Sequence, residues 1–245
     1  MDAKIITLTC PHCGKSHPVE VFDFYWYDSE YRFYSDTFVV GEKDGVAWCT
    51  PRYTMLCPEC GHYFPTPTIE GVRISQYAWS KKDKLSFLQL KEALEEFKGS
   101  GVQEENCRLE LWWAFYDLNW KGCYGYSGGR VPPTIEAEFH HANMLWLLKR
   151  FSKQTSVFST LVFELNRQLG RKDVCKRMID DFTFEKFVAQ KKAKWEENGF
   201  HHHYSEDDFR FSYNLRIKDL EYALKQTPLP YIKNLSGNDE SSIHS

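Results

Sequence analysis

One five-residue pattern occurs twice near the start of the chain, as Cys10-Pro11-His12-Cys13-Gly14 and as Cys57-Pro58-Glu59-Cys60-Gly61. Two thiolates separated by two residues can reach one metal ion from a single tight turn. The proline sets φ at the start of that turn, and the glycine can close it at positive φ. Four thiolates from two such turns make a closed tetrahedral site of the kind that Zn²⁺ occupies. The repeat therefore predicts one structural zinc ion bound by Cys10, Cys13, Cys57 and Cys60.

Two alternatives to this ligand set come from neighbouring residues and from redox chemistry. A Cys-x-x-Cys pair can be a thioredoxin-like redox centre, but that interpretation needs a βαβ context and a single motif. Another ligand beside the repeats could replace one thiolate, and four residues qualify: Cys49, His12, His17 and His62. The remaining cysteines occur singly and are predicted, with Cys49, to be ordinary buried or exposed thiols: Cys107, Cys123 and Cys175.

Composition limits the class of protein. The 245 residues contain 31 Lys and Arg against 34 Asp and Glu, so the net charge is −3, which disfavours a generally basic nucleic-acid binder. Hydrophobic residues make up 42%, enough for a buried core. No segment approaches the ~20 apolar residues of a membrane span, and the first residues lack the apolar region of a secretory signal. These features predict a cytoplasmic protein whose cysteines stay reduced, without a membrane partner.

Hydrophobic periodicity divides the chain into a β-rich and a helical part. Aromatic and β-branched residues predict short strands at 19–27, 31–34, 37–40, 46–49, 63–64 and 69–74. After about residue 77 the period becomes helical, with helices predicted at 84–98, 103–120, 134–153, 160–169, 173–182, 184–198 and 207–225. The fold class is therefore predicted to be α+β. An antiparallel β module over residues 1–78 precedes an all-α helical-hairpin domain over 79–232 and a disordered tail over 233–245.

Two parts of the sequence resemble known families. The paired Cys-Pro-x-Cys-Gly turns around β-hairpins are similar to the zinc-ribbon class, and that resemblance implies that the four cysteines of the turns are the metal ligands. The segment from Phe163 to Gly170, followed by Val174 to Phe182, resembles a tetratricopeptide-like helix–turn–helix. A ribbon ahead of helical hairpins is also the layout of uncharacterised bacterial proteins. These resemblances imply a fold and a metal, and they leave the activity open.

Other motifs give no catalytic constellation. Glu138 and His141 form a Glu-x-x-His pair on a predicted helix, which is half of a di-iron motif, but no second copy lies on a helix. The internal His201–His203 tract is predicted to lie in a loop, where it could bind metal adventitiously. The glycine-rich stretch at 122–129 lacks the spacing of phosphate-binding loops. We therefore expect a protein without enzymatic activity.

The expected role is binding to another protein through a concave helical surface and the aromatic face of the β module. The alternative is nucleic-acid binding, because residues 171–194 contain eight Lys and Arg against four Asp and Glu. The residues expected to contact nucleic acid in that case are Arg171, Lys172, Lys176, Arg177, Lys191, Lys192 and Lys194.

Overall fold

The computed structural model describes residues 3–23, 30–33, 39–43, 46–50, 53–66, 77–80, 84–119, 136–153, 159–197 and 205–226. Within these ranges, eight β-strands are followed by seven α-helices. The predicted α+β class, with strands before helices, is confirmed. Among the described residues, no helix is both long enough and apolar enough to cross a bilayer.

The strands are short and all of their pairings are antiparallel. Their bounds are β1 (Ala3–Thr9), β2 (Ser16–Asp23), β3 (Glu30–Phe33), β4 (Val39–Lys43), β5 (Val46–Thr50), β6 (Thr54–Leu56), β7 (Tyr63–Pro65) and β8 (Tyr77–Ser80). Six of them form one sheet in the order β1-β2-β8-β5-β4-β3, whereas β6 and β7 form a separate hairpin.

Three strands, β1, β6 and β8, were not predicted from the sequence. The four residues of β8 pair with β2 on one side and with β5 on the other, so partners distant in sequence stabilise it. The strand predicted at 69–74 lies outside the described residues. The strands predicted at 31–34, 37–40, 46–49 and 63–64 coincide with β3, β4, β5 and β7 in whole or in part.

The seven helices match the predicted ones, with ends that differ by three residues at most. Their bounds are α1 (Phe87–Phe97), α2 (Val102–Asn119), α3 (Ala137–Phe151), α4 (Thr160–Gln168), α5 (Lys172–Asp180), α6 (Phe184–Glu197) and α7 (Glu206–Lys225). Helix α1 begins three residues after the predicted start at residue 84. Ser86 caps it, in a reciprocal capping box with Gln89.

A glycine stop separates α4 from α5. Gly170 has φ of +73°, and its N–H donates to the Arg167 carbonyl. The N–H of Arg171 donates to the Asn166 carbonyl, which completes a Schellman motif. The helix–turn–helix predicted over residues 163–182 is thus present as the α4–α5 hairpin.

The described chain forms two compact units. The residues up to His140 form the first unit, and those from His141 to Gln226 belong to the second. The predicted boundary between residues 78 and 79 lies inside the first unit. Within that unit, α1 packs against β7 and α2 against β6. The predicted tail at 233–245 lies outside the described residues.

The first unit has an aromatic core on α2. Trp112 is completely buried, and Trp113 and Phe115 are buried on the same helix. The Cys107 thiol donates to the Leu90 carbonyl at 3.4 Å, so α1 and α2 lie in close contact. Two side chains carry this packing to the strands: Tyr63 donates to Glu92 of α1 at 2.7 Å, and Glu110 of α2 accepts the Tyr53 N–H at 2.9 Å.

Candidate metal centre

Each Cys-Pro-x-Cys-Gly repeat forms the tip of a β-hairpin. The first connects β1 to β2, and the second connects β6 to β7. In both turns the glycine N–H donates to the carbonyl of the first cysteine at 2.9 Å, Gly14 to Cys10 and Gly61 to Cys57. Both glycines have positive φ, +69° and +73°, where a side chain would be strained. The two repeats therefore fold into the same turn, and each turn presents two thiols.

The two turns face each other and bring their four thiols together. The Sγ atoms of Cys10 and Cys60 lie 3.7 Å apart, as do those of Cys13 and Cys57. All four Sγ atoms lie within 4.8 Å of one another. A tetrahedral ion with Zn–S bonds of ~2.3 Å holds its sulfurs ~3.8 Å apart, so the spacing fits a metal site. The same spacing is far too long for a disulfide, and all four cysteines are free thiols.

Backbone N–H groups and the crowding of the thiols set their ionisation. Burial acts to raise the pKa of Cys57, but two N–H groups of its own turn and the neighbouring thiols lower it to about 7. The N–H groups of Lys15 and His62 favour the thiolates of Cys13 and Cys60, yet burial and neighbouring thiols raise the pKa of Cys13, and that of Cys60 to about 12. Neighbouring thiols therefore oppose ionisation of Cys13 and Cys60, and a bound cation would compensate that negative charge.

The thiols lie above a small apolar core that both hairpins share. The buried side chains of this cluster are Leu8, Cys10, Val19, Val21, Met55, Cys57 and Phe64. Cys10 and Cys57, the first cysteines of the two turns, have no exposed surface, whereas Cys13 is exposed. The four thiols thus lie where two hairpins of different sheets meet.

The histidines that could replace a thiolate lie beside the four sulfurs. His17 Nε2 is 3.3 Å from the Cys57 Sγ, within hydrogen-bonding distance of a sulfur. His12 and His62 stack on each other with ring centroids 4.5 Å apart. The backbone of Cys49 pairs with Val40 in the large sheet, and its side chain lies outside the described part of the structure.

The basic residues of the nucleic-acid alternative are distributed over two helices. Arg171, Lys172, Lys176 and Arg177 lie at the start of α5 and along it, and all are exposed. Lys191 and Lys192 are exposed on α6, and the Lys194 side chain lies outside the described residues. Three of these cations line different depressions of the surface: Arg171, Lys191 and Lys192.

The other candidate residues from the sequence are exposed on a helix, are buried thiols, or lie outside the described ranges. Glu138 and His141 are exposed on α3. The thiols of Cys107 and Cys175 are buried, and burial raises the pKa of Cys107 and raises that of Cys175 to about 11. The described ranges exclude Cys123, the glycine-rich stretch at 122–129 and the His201–His203 tract.

Two features of the surface were missed in the sequence. One is a groove of about 700 Å³ in the second unit, lined by residues of α3, α4, α5 and the start of α6. The other is a cluster of His12, His62 and Glu96 beside the four thiols. Helical periodicity marked the apolar residues of the groove but not which of them stay accessible. Nothing in the local pattern connects Glu96 with the turns.

Comparison with known proteins gave no matching family model, no matching curated protein and no matching solved structure.

Proposed function

We propose that the chain is a zinc-stabilised binding protein whose helical unit holds an acidic, amphipathic segment of a protein partner. The groove in the second unit carries this proposal. The four thiols supply the structural part of the function, and the groove supplies the binding part.

Zinc is the metal that best fits the four thiols. A set of four sulfurs favours zinc or iron–sulfur chemistry, and the 3.7 Å separations match a single ion of Zn²⁺ type. With Cys10, Cys13, Cys57 and Cys60 all bound, no coordination position remains for water or substrate. The ion would therefore stabilise the fold of the two hairpins and supply no catalytic step.

Metal analysis of protein purified without chelators tests this assignment. We expect one zinc per chain, lost in Cys57→Ser and retained in Cys175→Ser, which removes a buried thiol outside the repeats. Zinc below about half an equivalent in the wild-type protein, or a full equivalent in Cys57→Ser, would contradict the assignment.

The floor of the groove is apolar. Its side chains come from consecutive helices, and they include Leu148 of α3, Val162 of α4, Val174 and Met178 of α5, and Phe182. Leu145 lies beside them and keeps 36% of its surface exposed. A row of apolar side chains between helices matches the apolar face of an amphipathic helix, whose anchors recur at i, i+3, i+4 and i+7.

The charges of the groove select the kind of partner. Three cations line it, Lys149, Arg171 and Lys186, against one carboxylate, that of Asp181. All four side chains are exposed, so their charges act mainly on specificity and association rate. Charge complementarity therefore favours a segment with acidic residues flanking its apolar anchors.

Two synthetic amphipathic peptides test the groove. Both carry leucine at i, i+3, i+4 and i+7, one with glutamate and the other with lysine at the remaining positions. We expect the full-length protein to bind the glutamate peptide, with methyl NMR shifts at Leu145, Val174 and Met178. Val174→Glu should weaken this binding by about tenfold or more, because it places a charge in the apolar floor.

Neighbouring residues provide a matched control for charge. Arg171→Glu reverses a cation that lines the groove, whereas Lys172→Glu makes the same change in net charge at an exposed position outside the lining. We expect the first to weaken binding of the glutamate peptide and the second to leave it nearly unchanged. Equal binding of both peptides would contradict the proposal. The proposal would also be contradicted if the protein bound a single-stranded oligonucleotide and neither peptide. In that case oligonucleotide binding should weaken steeply as salt increases, and it should weaken in Lys172→Glu.

A further inference from the structure

A second group of metal-ligating side chains lies on the surface next to the four thiols. His12 comes from the first cysteine turn, His62 follows the second turn, and Glu96 lies on α1. One ligand atom from each of the three lies within 4.8 Å of those of the other two. Three elements that are far apart in sequence thus present two imidazoles and one carboxylate at one place in the first unit.

The spacing in this group is close to that of a bound ion. His62 Nδ1 lies 3.6 Å from Glu96 Oε2. A tetrahedral ion with bonds of ~2.0–2.2 Å holds a nitrogen and an oxygen ligand ~3.3–3.5 Å apart. The rings of His12 and His62 are stacked nearly parallel, 15° apart, with centroids 4.5 Å from each other. All three side chains are exposed, and binding of one ion by both imidazoles requires their rings to rotate out of this stacked arrangement.

We propose that His12, His62 and Glu96 form a second, open site for a divalent transition-metal ion of the Zn²⁺, Co²⁺ or Ni²⁺ kind. Imidazole with a carboxylate is a common donor set for such ions. Three protein ligands leave at least one coordination position for water or an anion, unlike the four thiols. The inference rests on the proposed structural zinc, because two of the ligands are held by the cysteine turns.

Cobalt titration of the full-length, zinc-loaded protein tests this site. The His201–His203 tract is first changed to alanine, so that it contributes no binding. We expect one further equivalent of Co²⁺ to bind and to give d–d absorption without sulfur-to-cobalt charge-transfer bands. Zinc content is measured in parallel, so loss of the structural ion is recognised separately from failure of the second site.

Variants locate the added ion. Outer-shell partners of metal ligands are worth about 10–100-fold in affinity, so loss of a direct ligand should weaken Co²⁺ binding by at least about tenfold. We expect this loss in His62→Ala and in Glu96→Gln, with full zinc content retained. His141→Ala removes an exposed histidine outside the cluster and should leave Co²⁺ binding unchanged.

Two results would contradict the proposal of a second metal site. One is the absence of a further equivalent of Co²⁺ in zinc-loaded protein. The other is equal Co²⁺ affinity in Glu96→Gln and His141→Ala. If His62→Ala loses its structural zinc, Glu96→Gln decides the question, because Glu96 lies on the exposed surface of α1 and outside both turns.

Discussion

The two units of the molecule are stabilised by different interactions. In the first unit, two hairpins from separate sheets meet at four thiols, and two of those thiols belong to the small core beneath. In the second unit, helices pack directly, and α4 is buried along most of its length. Glu164 and Arg167 form an ion pair there with 2% of each side chain exposed. The two hairpins therefore meet at four thiols that could hold one ion, whereas the helical unit depends on packing and on a buried polar contact.

Metal removal should have the largest effect of the changes considered, and it should affect the stability of the first unit far more than that of the second. Zinc binding in small metal-dependent folds is worth about 10–16 kcal/mol, against about 5–15 kcal/mol for the stability of a whole domain. We expect chelation to abolish hydrogen-exchange protection in residues 3–23 and 53–66 and to leave residues 159–180 protected.

The control for this experiment is the protein with zinc restored, in which protection of both hairpins should return. Retained protection of the hairpins in metal-free protein would show that their core holds without the ion. Equal loss of protection in α4 would show that the two units unfold together.

Breaking the buried ion pair between Glu164 and Arg167 should have the next largest effect, and it should lower the stability of the second unit. The Arg167 guanidinium donates to both carboxylate oxygens of Glu164, at 2.6 and 2.8 Å, and Gln168 also donates to that carboxylate at 2.8 Å. Removing one partner of a buried pair leaves a buried charge and costs about 3–5 kcal/mol. Arg167→Met should therefore lower the free energy of unfolding by about this amount in urea, with zinc content unchanged.

A surface pair of the same length is the matched control. Arg210 and Glu206 of α7 are also 2.6 Å apart, but more than half of each side chain is exposed. Exposed pairs contribute about 0–1 kcal/mol, so Arg210→Met should change stability little. Similar effects of Arg210→Met and Arg167→Met would mean that burial does not govern the Glu164–Arg167 contact.

Helix caps should give the smallest of these effects and should be similar in both units. Ser86 begins α1 in the first unit and Ser205 begins α7 in the second, each in a reciprocal capping box. Replacing a serine cap by alanine costs about 0.5–2 kcal/mol. We expect Ser86→Ala and Ser205→Ala to lose about 1 kcal/mol each in urea unfolding, each within its own unit.

If Ser86→Ala also released zinc, the cap on α1 would control the metal site. The effects of metal binding and of helix capping on the first unit would then not be independent. Zinc content of both cap variants measures this directly. We expect a full equivalent in each.

Local patterns were sufficient for the helices and for the four thiols. Helical periodicity, the glycine stop at Gly170 and the serine at the start of α7 are encoded within a few residues, and the structure agrees with them to within three residues. Cys-Pro-x-Cys-Gly is equally local, because spacing, proline and glycine determine the turn. The prediction that the two turns meet needed only the preference of a thiolate-bound cation for four ligands over two.

Tertiary packing alone decided the rest. The strand order β1-β2-β8-β5-β4-β3 joins segments more than 50 residues apart, and no short pattern specifies such pairing. Glu164 and Arg167 are polar residues of a helical pattern, yet they are buried because α4 is covered by packing around it. Glu96 approaches His62 only because α1 packs beside β7. Backbone conformation follows from neighbours in sequence, whereas the meeting of side chains from distant segments depends on how those segments pack.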